Sequence, residues 1–226
     1  MAFLAIDTSS SVCVLGVRVD GQTWVDEAEL GRSHSQEILP RIEALLIRAG
    51  IARSSIKGIV YGQGPGSFTG LRIGIGVVQG LAYGLNVPVV GISSLKCLAQ
   101  QVVKETNHGA LVALAARNTE VYFGAYRMGP EGIELSGQEG VFEASELPNQ
   151  EPRTQWIGLG DGWALAEQLQ SASGVQVTEL NLDPKIRAAD LLDLGEQAFA
   201  QGLGKQAVEA LPEYLRETVA AKPKPR

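Results

Sequence analysis

The chain has 226 residues, 45% of them hydrophobic and 19% charged, enough for one large globular domain or two small ones. Its formal charge of -6 argues against a protein that grips nucleic acid by itself, which needs clustered Lys and Arg, but leaves open work beside a nucleic-acid-binding partner. The two cysteines, Cys13 and Cys97, sit in apolar runs and form no paired motif, which reads as buried free thiols in a reducing compartment.

The N-terminus is apolar, lacks a basic region before it and is interrupted early by Asp7, so it reads as a strand and not as a signal peptide. No apolar run approaches about 18 residues, so no membrane span is predicted and a cytoplasmic location is expected. Phe3–Ile6, Val12–Val19 and Thr23–Leu30 read as strands. The serines at 9–11 and Asp20-Gly21 supply the turns between them. The period then changes. Ile38, Leu39, Ile42, Leu45, Leu46 and Ala49 recur at helical spacing, and Gly50 follows as a stop signal. Pro40 within this pattern means that the helix either starts late or bends. Ile59–Tyr61 is a strand, 68–85 a helix, and Pro88–Ile92 a strand. Ser93 and Ser94 can cap a further helix through Val103.

Three strands followed by helix, strand, helix, strand, helix is the order of a ribonuclease-H-like half-domain, two of which pair in the actin, Hsp70 and sugar-kinase superfamily. The predicted fold class is therefore α/β with two such lobes. After about residue 105 the same materials recur in reduced form. Ala110–Ala116 and Glu120–Tyr126 read as strands around a turn at Arg117-Asn118, and Gly132–Phe142 is a further strand candidate. The stretch 144–153 is polar and contains two prolines, so it reads as a loop. Trp156–Leu159 is strand-like, Trp163–Leu169 helical, and Ala188–Gln201 a helix. The expected division is an N-terminal lobe over 1–105, a smaller lobe over 106–216, and a disordered basic tail over 217–226 that ends Lys222-Pro-Lys224-Pro-Arg226. No sequence repeat links the two halves.

Asp7-Thr8-Ser9 follows the first strand. In phosphate-handling folds of this order such an acid holds a metal or water and the hydroxyls approach phosphate; alternatively Asp and Ser close a hairpin by local hydrogen bonds. Gly64-Pro65-Gly66-Ser67-Phe68-Thr69-Gly70 enters a helix but has no Lys, so it is not a P-loop, and its glycine spacing is wrong for a dinucleotide fingerprint. It can serve close approach of backbone to an anion or a partner, with Arg72 the nearby cation, or it can be a sharp strand-to-helix turn with Ser67 or Thr69 as cap. Asp7, Thr8, Ser9, Gly64, Gly66 and Ser67 are thus the candidates for a vestigial phosphate site. The only histidines, His34 and His108, are far apart and lack a second His at i+4, so no metal site is predicted. No Gly-x-Ser-x-Gly elbow occurs, and no catalytic nucleophile is predicted.

On a wheel of about 100° per residue, Gly70, Gly74, Gly76, Gly80 and Gly84 share an arc of about 160° with Ile73, Val77 and Leu81. Leu71, Ile75, Val78, Ala82 and Leu85 form a second sector, which leaves little solvent face. One side should pack on the sheet, and the glycine side should receive a helix at close range, within the chain or from another. Five helical glycines cost about 4–5 kcal/mol against alanine, so contact across that arc must offset them. The preceding helix, through Ile38, Ile42, Leu45 and Leu46, is the natural neighbour in a two-helix face.

Taken together, Ile6-Asp-Thr-Ser, HSQEILP at 34–40, VYGQGPGSFTGLRIG at 60–74, PVVGISSL at 88–95, ARNTEVYFGAY at 116–126, GLGDGW at 158–163 and the terminal Pro212, Tyr214, Leu215, Arg216 resemble the bacterial TsaB (YeaZ) family over nearly the whole chain. The resemblance implies a role in making threonylcarbamoyladenosine beside the tRNA anticodon. It implies a non-catalytic paralogue of the enzyme TsaD that pairs with it through the two N-terminal helices, with the ATPase TsaE joining, and that forms homodimers when alone. Residues that pack in this pairing are expected at Ile38, Ile42, Leu45, Leu46, Gly70, Ile73, Gly74, Gly76, Val77, Gly80 and Gly84. TsaD carries a metal-binding histidine pair; the only histidine at the matching helix start is His34, so the metal site is not carried over. No cofactor is required, strong tRNA binding is not expected, and a weak ATP or ADP contact at the partner interface stays open. The competing readings are an ATP-dependent phosphotransferase of the same superfamily, against which stands the lack of an acidic Gly-rich second phosphate loop at Arg117–Glu120, and a metallopeptidase.

Overall fold

A computed structural model describes residues 1–106 and 108–215. The N-terminal meander forms as its alternation predicts: β1 (Ala2–Asp7), β2 (Val12–Val19) and β3 (Gln22–Glu29) pair antiparallel, with Ile6 opposite Leu15 and Leu15 opposite Asp26. Asp20 and Gly21 both take positive φ in the β2–β3 turn, the conformation that matches the twist of a tight hairpin. α1 (His34–Arg48) begins well before Pro40 and runs through it. β4 (Ile56–Gly64), α2 (Phe68–Leu85), β5 (Val89–Ser93) and α3 (Ser94–Thr106) follow. Ser93 Oγ accepts from the Leu95 and Lys96 N–H groups, the cap its position predicts. The sheet order is β3-β2-β1-β4-β5, with β4 parallel to both β1 and β5. This is the ribonuclease-H-like arrangement that the order of elements predicts.

A second sheet is built from β6 (Gly109–Ala115), β7 (Glu120–Gly129), β8 (Gly132–Leu135), β9 (Gly140–Glu143), β10 (Trp156–Leu159) and β11 (Val177–Asn181), with α4 (Ala166–Ser173) between the last two. Its order β8-β7-β6-β10-β11 repeats that of the first sheet, antiparallel on one side of the central strand and parallel on the other. The single strand expected over 132–142 is two short ones: β8 extends the meander, and β9 pairs with β7 nearer the opposite end. β11, mostly exposed, has no counterpart in the sequence reading, because Val-Thr-Glu-Leu-Asn lacks a buried alternation.

α5 (Ala188–Ala200) returns to the first sheet. Three glycines let it approach: a Cβ on Gly16 would lie 2.9 Å from Ala188 Cβ, one on Gly58 2.7 Å from the Phe199 ring, and one on Gly195 2.1 Å from Val60. Arg18 on β2 clamps the same helix through Asp193 at 2.7 Å and Glu196 at 3.1 Å. Beyond it, Ala210 is fully buried in the first core, and Gln79 Nε2 of α2 donates to Ala210 O at 2.8 Å. The compact units are therefore Met1–Gln101 with Lys185–Glu213, and Val102–Pro184 with Tyr214 and Leu215 of the described residues. This corrects the expected cut at 105/106: Lys185–Glu213 belongs with the first sheet, one face of which α5 covers. The tail over 217–226, and Arg216 before it, lie outside the described residues.

Candidate functional site

The phosphate-loop position is built by three segments of the first unit. Asp7 ends β1, and its Oδ1 accepts from the Ser9 N–H at 3.0 Å and from Ser9 Oγ at 2.9 Å, closing the turn locally. Ser9 O in turn accepts from the Ser67 N–H at 2.6 Å. Ser67 Oγ caps α2 through the Gly70 N–H at 3.2 Å, and Thr8 Oγ1 donates to Gly70 O at 2.8 Å. The glycines of the loop allow this closure. A Cβ on Gly66 would lie 2.4 Å from Ser9 O, one on Gly70 2.0 Å from Thr8 O, one on Gly74 2.3 Å from Thr8 Oγ1, and one on Gly62 1.6 Å from Asp7 Oδ2. Gly64 has φ 104, precedes a cis bond to Pro65 and packs on Leu71. The N–H group of Ser67, which could have cradled an anion, is thus spent on the chain's own carbonyl. Arg72 lies over the Phe68 ring, 3.2 Å from its centroid.

Asp7, Thr8, Ser9 and His34 are all buried. Burial pushes the Asp7 carboxyl above its ordinary range, opposed by the two hydrogen bonds from Ser9 and by the charge of His34. Asp7 Oδ2 has no hydrogen-bond partner. His34 Nδ1 lies 3.0 Å from Gly31 O, a pure acceptor, so this nitrogen carries hydrogen; Nε2 has no partner. Among the described residues no group of three or more His, Cys, Asp or Glu side chains is placed to hold a metal ion.

The five-glycine arc of α2 divides. Gly70 and Gly74 are closed against the Thr8 turn, whereas none of the described residues comes within 4 Å of a Cβ on Gly76, Gly80 or Gly84. The expected absence of a solvent face is therefore corrected: Thr69, Arg72, Gly76, Gly80, Tyr83 and Gly84 are exposed, with Ile73, Val77 and Leu81 half-buried beside them. Ile38, Ile42, Leu45 and Leu46, expected at the interface, are core residues at 0–4% exposure. Their stripe packs on Leu15, Val17 and Ile59 of the chain's own sheet. The large apolar residues of α1 that remain open are Leu39, at 53% exposure and counted with the apolar pattern in the sequence, and Ile47, at 72% and outside it. Between the helices runs a groove of about 350 Å³ lined by Leu39, Pro40, Leu46, Leu81 and Leu85, with the Glu43–Arg53 ion pair of 2.9 Å at its side. Tyr83, 84% exposed, stands beside the open glycines.

In the second unit the GLGDGW segment is structural. Asp161 Oδ1 accepts from the Ala115 N–H at 2.7 Å, Gly160 and Gly162 abut Ala113 O, and Trp163 Nε1 donates to Leu111 O at 3.0 Å. Arg117-Asn118 is an exposed β6–β7 turn in which Asn118 takes φ 56. Among the described residues no helix is long and apolar enough to cross a membrane.

Residues 28–224 match the family described as TsaD, tRNA N6-adenosine threonylcarbamoyltransferase. The chain is 35% identical to the tRNA threonylcarbamoyladenosine biosynthesis protein TsaB of Escherichia coli, over 100% of this chain and 99% of that one. It is 31% identical to the protein of the same name from Haemophilus influenzae, over 100% and 98%. In three dimensions it is similar to YeaZ from Pseudomonas aeruginosa, with a TM-score of 0.86 and 36% identity over 95% of this chain and 99% of that chain. A second Pseudomonas aeruginosa crystal structure, of an uncharacterized protein with similarity to peptidase YeaZ, gives 0.89 and 37% over the same shares.

Proposed function

Because the chain belongs to the TsaB family of tRNA threonylcarbamoyladenosine biosynthesis proteins, we propose that it is a non-catalytic subunit that docks a TsaD-type transferase through α2 and the exposed side of α1. The observation that carries this reading is the open stretch of α2 at Gly76, Gly80 and Gly84, where no side chain of the described residues covers the backbone. Glycines at i, i+4 and i+8 line one ridge of a helix, and a bare ridge lets a second helix approach closely. Exposed Leu39, Ile47 and Tyr83 beside it supply apolar area whose burial would drive association. The proposed contact set is accordingly Leu39, Ile47, Gly76, Gly80, Tyr83 and Gly84, with Ile73 and Val77 at its edge, in place of the buried α1 stripe.

The self-closed phosphate loop supports the non-catalytic part of the reading. Ser9 O occupies the Ser67 N–H, and Gly70 and Gly74 are held against Thr8, so nucleotide binding here would require the β1–β2 turn to withdraw. Any nucleotide in the complex would then be held chiefly by partner residues. A TsaE-type ATPase as third component, homodimers in the absence of the partner, and a cytoplasmic location belong to the same proposal.

The test is co-purification with the TsaD-type partner followed by a tRNA modification assay. The pair should modify tRNA and this chain alone should not. Gly76→Leu should keep the fold and lose pairing. Pairing that survives in a folded Gly76→Leu protein, or transfer by the isolated chain, sinks the reading.

A further inference from the structure

The Asp7 carboxyl is enclosed, yet it uses only one of its oxygens. Oδ1 takes both hydrogen bonds from Ser9, and Oδ2 faces Gly62 with no hydrogen-bond partner. An ionised carboxylate in that position keeps an uncompensated oxygen in a low-dielectric site, which is strongly unfavourable; a protonated one does not carry that charge. The turn that Asp7 holds is also the turn that fastens the start of α2. Ser9 O takes the Ser67 N–H, Thr8 Oγ1 donates to Gly70 O, and Ser67 caps the helix. A continuous chain of hydrogen bonds thus runs from a buried acid to the first turn of a helix whose later turns are exposed.

We propose that Asp7 is a positioning residue that acts as a proton-linked latch: protonated, it lets the Thr8–Ser9 turn close on the start of α2; ionised, it draws water toward Oδ2 and loosens that turn. Ionisation releases one proton to solvent and neither forms nor breaks another covalent bond. The groups around Asp7 favour such a switch over a permanent charge. α1 presents His34, the one charge that favours the carboxylate. β2 presents Cys13 and α3 presents Cys97, both thiols whose own pKa is pushed up by burial. β4 presents Gly62, which carries no titratable group. Arg72 on α2 is exposed, and Arg187, just before α5, pairs with Asp190 on that helix. Among the described residues no cation forms a hydrogen bond or ion pair with Oδ2.

The experiment follows backbone amides of the purified full chain by NMR from about pH 4 to 9, with hydrogen exchange corrected for its intrinsic pH dependence. The Ser9 and Ser67 amides should titrate together with one midpoint above the ordinary aspartate value. Protection at Ser67 should fall by up to about tenfold per pH unit beyond that midpoint, the limit for one proton. Asp7→Asn should abolish the pH dependence, and His34→Gln should retain it. Should Asp7→Asn fail to fold, Ser9→Ala replaces it: loss of the hydroxyl that donates to Oδ1 should move the midpoint upward. Titration that persists in Asp7→Asn, vanishes in His34→Gln, is absent from the wild-type chain, or keeps its midpoint in Ser9→Ala overturns the latch. Its consequence for assembly rests on the docking reading above: partner affinity should fall with the same midpoint. A chain that titrates as described but never pairs overturns the docking and leaves the latch standing.

Discussion

The two ends of α2 use glycine for opposite purposes. At the N-terminal end, Gly70 and Gly74 are compressed against the Thr8 turn, and a side chain there would collide with the chain's own atoms. Toward the C-terminal end, Gly76, Gly80 and Gly84 meet none of the described residues and are exposed. The first pair repays its helix-propensity cost inside the fold. The second set does not, since a glycine in an open helix costs about 1 kcal/mol against alanine with no contact to offset it. A sequence that keeps three such positions in one ridge sacrifices stability in the isolated chain, a cost that the proposed docking would offset.

Substitution tests this contrast directly, and the largest effect is expected at Gly70. Its Cβ would sit 2.0 Å from the Thr8 carbonyl oxygen, a backbone atom that cannot rotate away. Gly70→Ala should therefore lose about 3 kcal/mol in a denaturant titration, the upper end of ordinary overpacking. A stability within about 0.5 kcal/mol of wild type would show that the turn is not fastened as described. Gly74→Ala should lose less, about 1–2 kcal/mol, because its obstacle is Thr8 Oγ1, which can swing aside by giving up its bond to Gly70 O.

Asp7 yields a prediction of sign. With its carboxyl raised from the ordinary 3.8, the folded state binds more protons than the unfolded one between that value and the native midpoint. Stability should thus fall as pH rises through this window, and Asp7→Asn should remove that slope. Thermal melts at a series of pH values decide it; a wild-type slope of the opposite sign, lost in Asp7→Asn, would mean that the carboxylate is stabilised where it sits. The smallest effect on stability is expected at the open glycines. Gly76→Ala, Gly80→Ala and Gly84→Ala should each gain about 0.5–1 kcal/mol by differential denaturation, the reverse of Gly70→Ala. Destabilisation at any of the three would place that glycine in a contact within the chain and break the contrast.

The start of α2 and the boundaries of β2 were legible because local signals agreed: Ser67 as cap before an apolar run, and alternation between two turn signals. The fate of the α1 stripe was not legible. Ile38, Ile42, Leu45 and Leu46 announce an apolar face, but periodicity cannot say whether that face meets the chain's own sheet or a partner. The sheet has precedence, since packing within one chain pays no association entropy. The glycine arc was read as one surface because a wheel projects the whole helix onto a circle and discards height. Gly70 and Gly74 lie at one end of that arc, Gly76, Gly80 and Gly84 at the other, and only the first two turns lie within reach of the Thr8 turn. The shared strand order of the two sheets was foreshadowed by the recurring order of elements and by no sequence repeat, since the order of pairing depends on which strands meet and hardly on which residues they carry.

Sequence alone determined the α/β class, the antiparallel-then-parallel order of the first sheet, the absence of a phosphate-loop lysine and of a histidine pair, and a helix too rich in glycine to be ordinary. These follow from local chemistry: side-chain periodicity, turn geometry and the presence or absence of particular functional groups. Tertiary structure decided which glycines are filled and which are bare, that Ser9 O closes the anion position, that Lys185–Glu213 returns to the first sheet, and that Asp7 is enclosed with one oxygen unsatisfied. Each of these depends on segments that lie far apart in the chain and meet only when the core closes, and no local pattern records such a meeting.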